Sequence, residues 1–194
     1  MIDRLEAWNL LCEKISNVAL RRHMLATEVV LRALARRLGR DETLWGLTGL
    51  LHDIDLESVD QDMRRHAATA CAWLSGLLPE PALQAILAHN AEMLGGQRVS
   101  ELDHALAASE SLTGLVVATV LILPDKKISA LKASSVQKRM KEPRFAASVN
   151  RDIIRECEAI GIPLGSFVEL GVAAMQQIGE DLGLCGGEGD AAKA

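Results

Sequence analysis

The sequence predicts an all-α protein that consists of one helical domain. Apolar residues recur three and four positions apart in successive segments, the spacing that places them on one face of a helix. No segment shows sustained alternation of apolar and polar residues with turn pairs, and no internal repeat is visible, so no sheet is predicted. Hydrophobic residues make up 49% of the chain, with only two Phe and no Tyr. Aliphatic side chains must therefore fill the core, which favours packed helices.

The first three helices are placed by their apolar faces and caps. Helical spacing predicts them over residues 5–15, over Val18–Leu38, and from Asp41 or Thr43 to Leu51. Ser16 or Asn17 can cap the second helix, and Gly39 ends it. His52 and Asp53 are predicted to lie at the C-terminal end of the third helix.

The later helices follow from breakers and turn residues. Asp55–Asp62 is polar and acidic and is predicted to be a loop. Pro81 suits the first turn of a helix, Gly95-Gly96 ends that pattern, and Pro124 stops the long apolar helix. The remaining helices are predicted over Met63–Leu77, Pro81–Asn90, Asp103–Leu123, Asp152–Ile160 and Leu164–Leu182. Residues 1–184 are then the domain, and 185–194 are predicted to be a disordered tail.

Bulk properties exclude several classes of protein. A net charge of -5 and a pI near 5.6 argue against nucleic-acid binding by bulk electrostatics. The start lacks an apolar signal core, and the longest apolar run is about 12 residues against the roughly 20 that span a bilayer. Four cysteines form no CxxC pair. We expect a cytoplasmic, reduced protein without a membrane segment.

Four of the five histidines fall into one pattern with a carboxylate. His52 and Asp53 are adjacent at the end of an apolar run, His23 lies one helix upstream, and His66 and His89 follow. A single helical histidine is more often a core or surface residue than a ligand, but one pattern accounts for all four. Imidazoles and carboxylates without thiolates suit Mn, Fe, Ni, Zn or Mg. Because neighbouring helical residues point about 100 degrees apart, His52 and Asp53 share an ion only at a distorted helix end, or Asp53 bridges two ions.

The pattern resembles the HD superfamily of metal-dependent phosphohydrolases, in particular its small stand-alone bacterial branch. The resemblance covers roughly residues 18 to 180. It is carried by Arg22-His23-Met24, Leu51-His52-Asp53-Ile54-Asp55, Arg65-His66-Ala67, Ala88-His89-Asn90, Leu112-Thr113-Gly114-Leu115, Lys126-Lys127, Ser134-Ser135-Val136-Gln137-Lys138-Arg139 and Phe145-Ala146-Ala147-Ser148-Val149-Asn150.

The family resemblance implies a ligand set. One ion would be held by His23, His52, Asp53 and a further carboxylate, and a second ion by His66 and His89 with Asp53 as the bridge. The family has an aspartate about two residues before the Leu-Thr-Gly match, where this chain has Glu110. An alternative alignment places Ser109 there, and Asp103 is the fallback carboxylate.

The resemblance also implies a reaction, in which a water between two cations attacks phosphorus at neutral pH. Asp53 is then catalytic as well as a ligand. Asp55 and Glu57 could position the water or act as a general base, or could equally be solvated loop acids.

A basic cluster follows the long helix. Such a run is often only a solvated face, but Lys126, Lys127 and Arg144 are the candidates to bind substrate phosphates. Lys126 and Lys127 come directly after Pro124-Asp125 and are predicted to lie in a turn.

The sequence therefore predicts a single HD-type helical domain with a binuclear divalent-metal site. The predicted activity is hydrolysis of a phosphate ester or anhydride of a small molecule, with a nucleotide as candidate substrate. Two alternatives stay open at this point. One is a di-iron oxygenase on the same ligands, and the other is an inactive HD domain that binds a nucleotide or a partner protein.

Overall fold

The computed structural model describes residues 1–60 and 62–186. Within this part of the chain there are ten α-helices and no strand, which confirms the predicted all-α fold class. The helices are α1 (Arg4–Lys14), α2 (Val18–Leu38), α3 (Glu42–Leu51), α4 (Ala68–Leu74), α5 (Glu80–His89), α6 (Ala91–Leu94), α7 (Glu101–Leu121), α8 (Ala133–Arg139), α9 (Arg151–Ile154) and α10 (Leu164–Gln176). Two 3-10 turns cover Ile128–Ala130 and Arg155–Glu158.

The caps of α2 and α3 lie where the sequence places them. The Asn17 side chain accepts hydrogen bonds from the backbone N–H groups of Ala19 and Leu20, at 2.8 and 3.2 Å. Gly39 ends α2 with a φ of 67°, a left-handed conformation that glycine adopts without strain. Asp41 caps α3. Local capping residues thus set the start of α2, which contains His23, and of α3, which ends directly before His52.

The fourth helix is shorter than predicted. Instead of Met63–Leu77 it spans Ala68–Leu74, and His66 lies in the turn before it. Ala67 has a φ of 68° and interrupts the helical path. The start of α4 has no local side-chain cap, but the backbone N–H of Ala70 donates to the buried carboxylate of Asp55 at 3.0 Å. The carboxylate of Asp55, a residue outside α4, therefore accepts a hydrogen bond that a local N-cap side chain would normally accept.

The closing helices also differ from the prediction. The segment predicted as Asp152–Ile160 is α9 followed by a 3-10 turn over Arg155–Glu158. The last helix ends at Gln176 rather than Leu182. A Cβ at Gly179 would lie 2.8 Å from the Ile128 side chain, so the chain after α10 packs closely on the turn that follows α7.

A close helix crossing sets up the site. α2 packs along α3, and α7 and α10 also lie against α2. At the crossing of α2 and α3, a Cβ on Gly49 would lie 2.9 Å from Leu31 Cδ1 and 3.0 Å from the backbone of Thr27. The absence of a side chain at Gly49 allows the two backbones to approach, which brings His52 next to His23.

The central helix α7 is long and apolar enough to cross a membrane by length and composition alone. In this fold, however, 61% of its most apolar window is buried. That burial is typical of the core helix of a globular protein, so the helix is a weak indication of a membrane span.

One hydrophobic core runs from Ala7 to Leu184. Beyond it, Cys185 pairs with Lys127 in an isolated bridge. The tail predicted over residues 185–194 lies, from residue 187 onward, outside the described residues. The division into a domain of residues 1–184 and a tail stays a prediction.

Candidate metal centre

Five segments bring the candidate ligands together. His23 lies within α2, His52 directly follows α3, His66 precedes α4, His89 is the last residue of α5, and Glu110 lies in the middle of α7. Asp53 follows His52 in the turn after α3.

The ligand atoms form two groups of three. His23, His52 and Glu110 make one group, and Asp53, His66 and His89 make the other. Within each group the ligand atoms lie within 4.8 Å of one another. The six residues that the sequence predicts as metal ligands therefore lie together in one cluster.

Asp53 lies between the two groups. Its Oδ1 is 3.2 Å from His66 Nε2 and 3.3 Å from His89 Nε2. Its Oδ2 is 3.3 Å from His52 Nε2 and 3.8 Å from His23 Nε2. Each carboxylate oxygen therefore faces a different pair of imidazoles.

Three of the imidazoles have a fixed tautomer. The Nδ1–H of His52 donates to the carbonyl of Gly49 at 2.8 Å, and that of His89 donates to the carbonyl of Ile86. The Nδ1–H of His66 donates to the carboxylate of Asp55 at 2.8 Å. Carbonyl and carboxylate oxygens only accept, so in the neutral rings the Nε2 atoms carry lone pairs. Those lone pairs are directed into the cluster, as a metal ligand requires.

The distances fit a bound cation. An ion held by nitrogen and oxygen ligands at about 2.0–2.2 Å sets neighbouring ligand atoms about 2.8–3.6 Å apart. The contacts of Asp53 and the 3.0 Å between His66 Nε2 and His89 Nε2 lie mostly in this range. In addition, His52 Nε2 is buried without a hydrogen-bond partner. A buried polar atom without a partner is costly, and a metal ion at this position would satisfy it.

The charged groups at the centre shift one another's pKa values. Burial opposes the ionisation of Asp53, but the charge of His52 and hydrogen bonds from His66 and His89 hold its pKa well below the ordinary value. Burial also opposes the charge on His66, yet hydrogen bonds to Asp53 and Asp55 raise its pKa to about 10. For His23 burial prevails, together with the charge of His52, and lowers the pKa to about 4. A cation that binds here must therefore displace a proton from His66.

The carboxylate of α7 in the cluster is Glu110. Its Oε2 lies 3.5 Å from His52 Nε2 and 4.0 Å from His89 Nε2. Burial raises its pKa, against the opposing charges of these two histidines. Asp103, the fallback, instead forms a capping box with Ser100, the N-cap of α7, and accepts from Val99 N and Ser100 N at 2.9 Å.

For Asp55 the sequence left two roles open, a base or water-positioning residue and a solvated loop acid. Asp55 is fully buried, its Oδ1 accepts from His66 Nδ1, and its Oδ2 accepts from Ala70 N. Both oxygens are thus engaged, and the carboxylate orients His66. Such an acid–histidine pair supports a metal ligand and fixes its tautomer.

Glu57 lies outside the cluster. Its carboxylate accepts from Ser16 N and Oγ at 2.9 Å and from Asn17 N at 2.7 Å. These bonds tie the loop before α2 to the segment after Asp53.

The three candidate phosphate-binding residues do not join the six ligands in the described structure. Lys126 and Lys127 lie in the turn after α7, as predicted, and both are exposed. Lys127 packs along Gly186, and its backbone N–H donates to Asp125 at 3.4 Å. Arg144 is exposed in the turns that follow α8. Their binding of substrate stays a prediction.

Sequence reasoning did not identify Arg98, the arginine behind His89. Its side chain is 7% exposed. One terminal nitrogen donates to the carbonyl of His89 at 2.9 Å, and the other donates to Glu156 at 2.9 Å. Glu92 accepts from both, and Glu156 also contacts His104, the fifth histidine, at 2.8 Å. No motif marks an arginine in a loop as buried, because its burial depends on partners from three other segments.

The site is therefore that of an all-helical protein whose buried histidine and carboxylate cluster fits a divalent-metal site. The profile of the HD domain family matches residues 20–120, just over half of the chain, and this span contains all six candidate ligands. The chain belongs to the HD domain family. No curated protein and no solved structure matches it.

Proposed function

We propose that this protein is a metal-dependent phosphohydrolase with a binuclear centre. The proposed reaction is hydrolysis of a phosphate ester or anhydride of a small molecule. A water oxygen bonds to phosphorus, the bond from phosphorus to the leaving oxygen breaks, and no electrons are transferred to an acceptor.

The observation that carries the proposal is the position of Asp53. One carboxylate with a different pair of imidazoles on each oxygen is what two ions sharing a bridging ligand require. The remaining ligand, Glu110, stands on the side of His52, so each ion has its own protein ligands.

The charge of the site supports an anionic substrate. With neutral imidazoles, Asp53, Asp55 and Glu110 together carry three negative charges. Two divalent ions exceed that by one positive charge, which favours a phosphoryl group over a neutral substrate. When bound, such ions lower the pKa of a water and neutralise charge on phosphoryl oxygens.

The exposure of the ligands indicates the direction of approach. The side chains of His23 and Glu110 are 29% and 20% exposed, whereas those of His66 and His89 are 2% and 4% exposed. The substrate therefore approaches from the side of His23 and Glu110, while the inner histidines stay shielded from water.

An open groove of about 650 Å³ lies between the start of α2 and the segment that follows Asp53. It is lined by Asn17, Ala19, Leu20, Leu56, Glu57 and Asp60. Leu20 is one helical turn before His23. With two carboxylates and no cation in its lining, the groove suits the uncharged part of a substrate, such as the nucleoside of a nucleotide, better than additional phosphates.

Metal counting is the decisive test. We expect close to two ions per chain by mass spectrometry in protein purified without chelators, and a sharp fall in Asp53→Ala. Glu57→Gln is the matched control, because it removes a nearby carboxylate outside the cluster and should leave the count unchanged. Close to zero ions in metal-replete wild type would refute the proposal.

Activity then separates the remaining functions. A panel of nucleotides and simple phosphate esters with Mn, Fe, Ni, Zn or Mg should release phosphate equally well with and without oxygen. Turnover that requires oxygen, with the optical signature of a mixed-valent iron pair, would instead identify an oxygenase. Metal-dependent nucleotide binding without turnover under any metal would identify a binding module.

A further inference from the structure

His23 is the one imidazole of the cluster whose Nδ1 contacts a hydroxyl group. Its partner is Thr113 Oγ1, at 3.1 Å, on the neighbouring helix α7. A hydroxyl can donate or accept, so this contact alone does not fix the tautomer of His23. The question matters because Nε2 is the nitrogen of His23 that faces Asp53, and it can bind a cation only through a lone pair.

A second hydrogen bond of the same hydroxyl resolves the direction. Thr113 Oγ1 lies 2.7 Å from the backbone carbonyl of Glu110, which can only accept. The single hydroxyl hydrogen is therefore used there, and an oxygen lone pair is left for His23 Nδ1–H. Thr113 is fully buried, so water does not compete for either bond.

We propose that Thr113 is a positioning residue that holds His23 with its proton on Nδ1 and its Nε2 lone pair directed at the metal centre. The same hydroxyl bonds to the backbone of Glu110. It therefore links two ligands of one metal group across α2 and α7. The inference rests on the metal centre and not on the reaction.

Another buried threonine of α7 provides the comparison. Thr119 Oγ1 donates to the carbonyl of Leu115 at 2.7 Å, within the same helix. It thus makes the same kind of bond to its own helix as Thr113 makes, and no histidine contact is found for it in the described part of the chain. Thr119→Val is therefore a matched control for Thr113→Val, because both changes replace a buried hydroxyl by a methyl group.

Nitrogen NMR tests the tautomer directly in the metal-free protein. With ¹⁵N-labelled histidine at neutral pH, His23 should show a protonated Nδ1 and an unprotonated Nε2, assigned by loss of its signals in His23→Gln. A wild-type His23 with its proton on Nε2 would overturn the proposal without any threonine variant.

Metal titration tests the consequence. Thr113→Val should lower the affinity of one of the two binding steps by about 10–100-fold, the usual effect of losing a hydrogen-bond partner of a ligand. Thr113→Ser keeps the hydroxyl and should restore both the tautomer and the affinity, and Thr119→Val should match the wild type. A folded Thr113→Val protein with wild-type affinity and tautomer would refute the role. If Thr113→Val does not fold, the wild-type spectrum and Thr113→Ser still decide.

Discussion

Replacing Asp55 by Asn removes a charge while keeping the shape of the side chain. In the wild type two donors meet this carboxylate, His66 Nδ1–H at 2.8 Å and Ala70 N–H at 3.0 Å. An amide offers one oxygen and one NH₂ group, so only one of the donors keeps an acceptor.

The expected outcome is a change of tautomer at His66. If the Asn oxygen stays with Ala70 N–H, the NH₂ group faces His66 Nδ1, which must then be the unprotonated nitrogen. The proton moves to Nε2 and blocks the ligand position. Loss of such a supporting hydrogen bond costs about 10–100-fold in metal affinity, or about 1.4–2.7 kcal/mol. If the oxygen turns to His66 instead, Ala70 N–H is left buried and unpaired, at about 1–3 kcal/mol of folding free energy.

Calorimetric titration with a divalent metal would measure the affinity, and urea unfolding of the metal-free protein would measure the stability. Glu57→Gln is the control, because Glu57 lies in the same segment and binds Ser16 and Asn17 rather than a histidine. We expect metal binding to be weaker in Asp55→Asn and unchanged in Glu57→Gln. Wild-type affinity and stability in Asp55→Asn would refute the reasoning.

Three further outcomes are expected. Gly49→Ala should destabilise the fold by about 1–3 kcal/mol and weaken metal binding, because its Cβ would meet the backbone of α2. Gly96→Ala is the control and should be close to neutral, because its Cβ would have no atom closer than 3.9 Å. Urea unfolding compares the stabilities of the two variants, and equal losses of stability would contradict the close crossing. Because the pKa of His66 is raised to about 10, metal binding at pH 7 should release at least one proton. The metal affinity should then rise about tenfold per pH unit for each proton released. Calorimetry in two buffers of different ionisation enthalpy measures the number of protons released, and a binding heat that does not depend on the buffer would contradict the prediction. At pH 8 a thiol reagent should modify the exposed Cys185 well before Cys157, since burial raises the pKa of the Cys157 thiol to about 12. Peptide mapping by mass spectrometry gives the order of modification, and equal rates at the two cysteines would contradict the prediction.

The sequence predicted those parts of the structure that depend on local signals. The bounds of α2 follow from Asn17 and Gly39, which act on their own helix, and they were predicted correctly. The cluster could be predicted because the chain has only five histidines and four of them fall into one pattern.

The incorrect or missing parts depend on distant partners. The start of α4 is set by Asp55, a residue in the preceding turns, and the local propensity of Met63–Leu77 could not show that. The role of the Thr113 hydroxyl was not predicted, because its histidine partner is 90 positions away in sequence. Single-sequence periodicity carries no information about such pairs.

The dispersal of the ligands has a thermodynamic consequence for the whole fold. They come from five segments between His23 and Glu110, so an ion bound to them cross-links helices that are far apart in sequence. The unfolded chain does not hold these ligands together, and a metal ion that binds the cluster would therefore stabilise the native state by RT ln(1 + [M]/Kd). Global stability is in this way tied to the concentration of free metal, and a melting temperature describes this protein only together with that concentration.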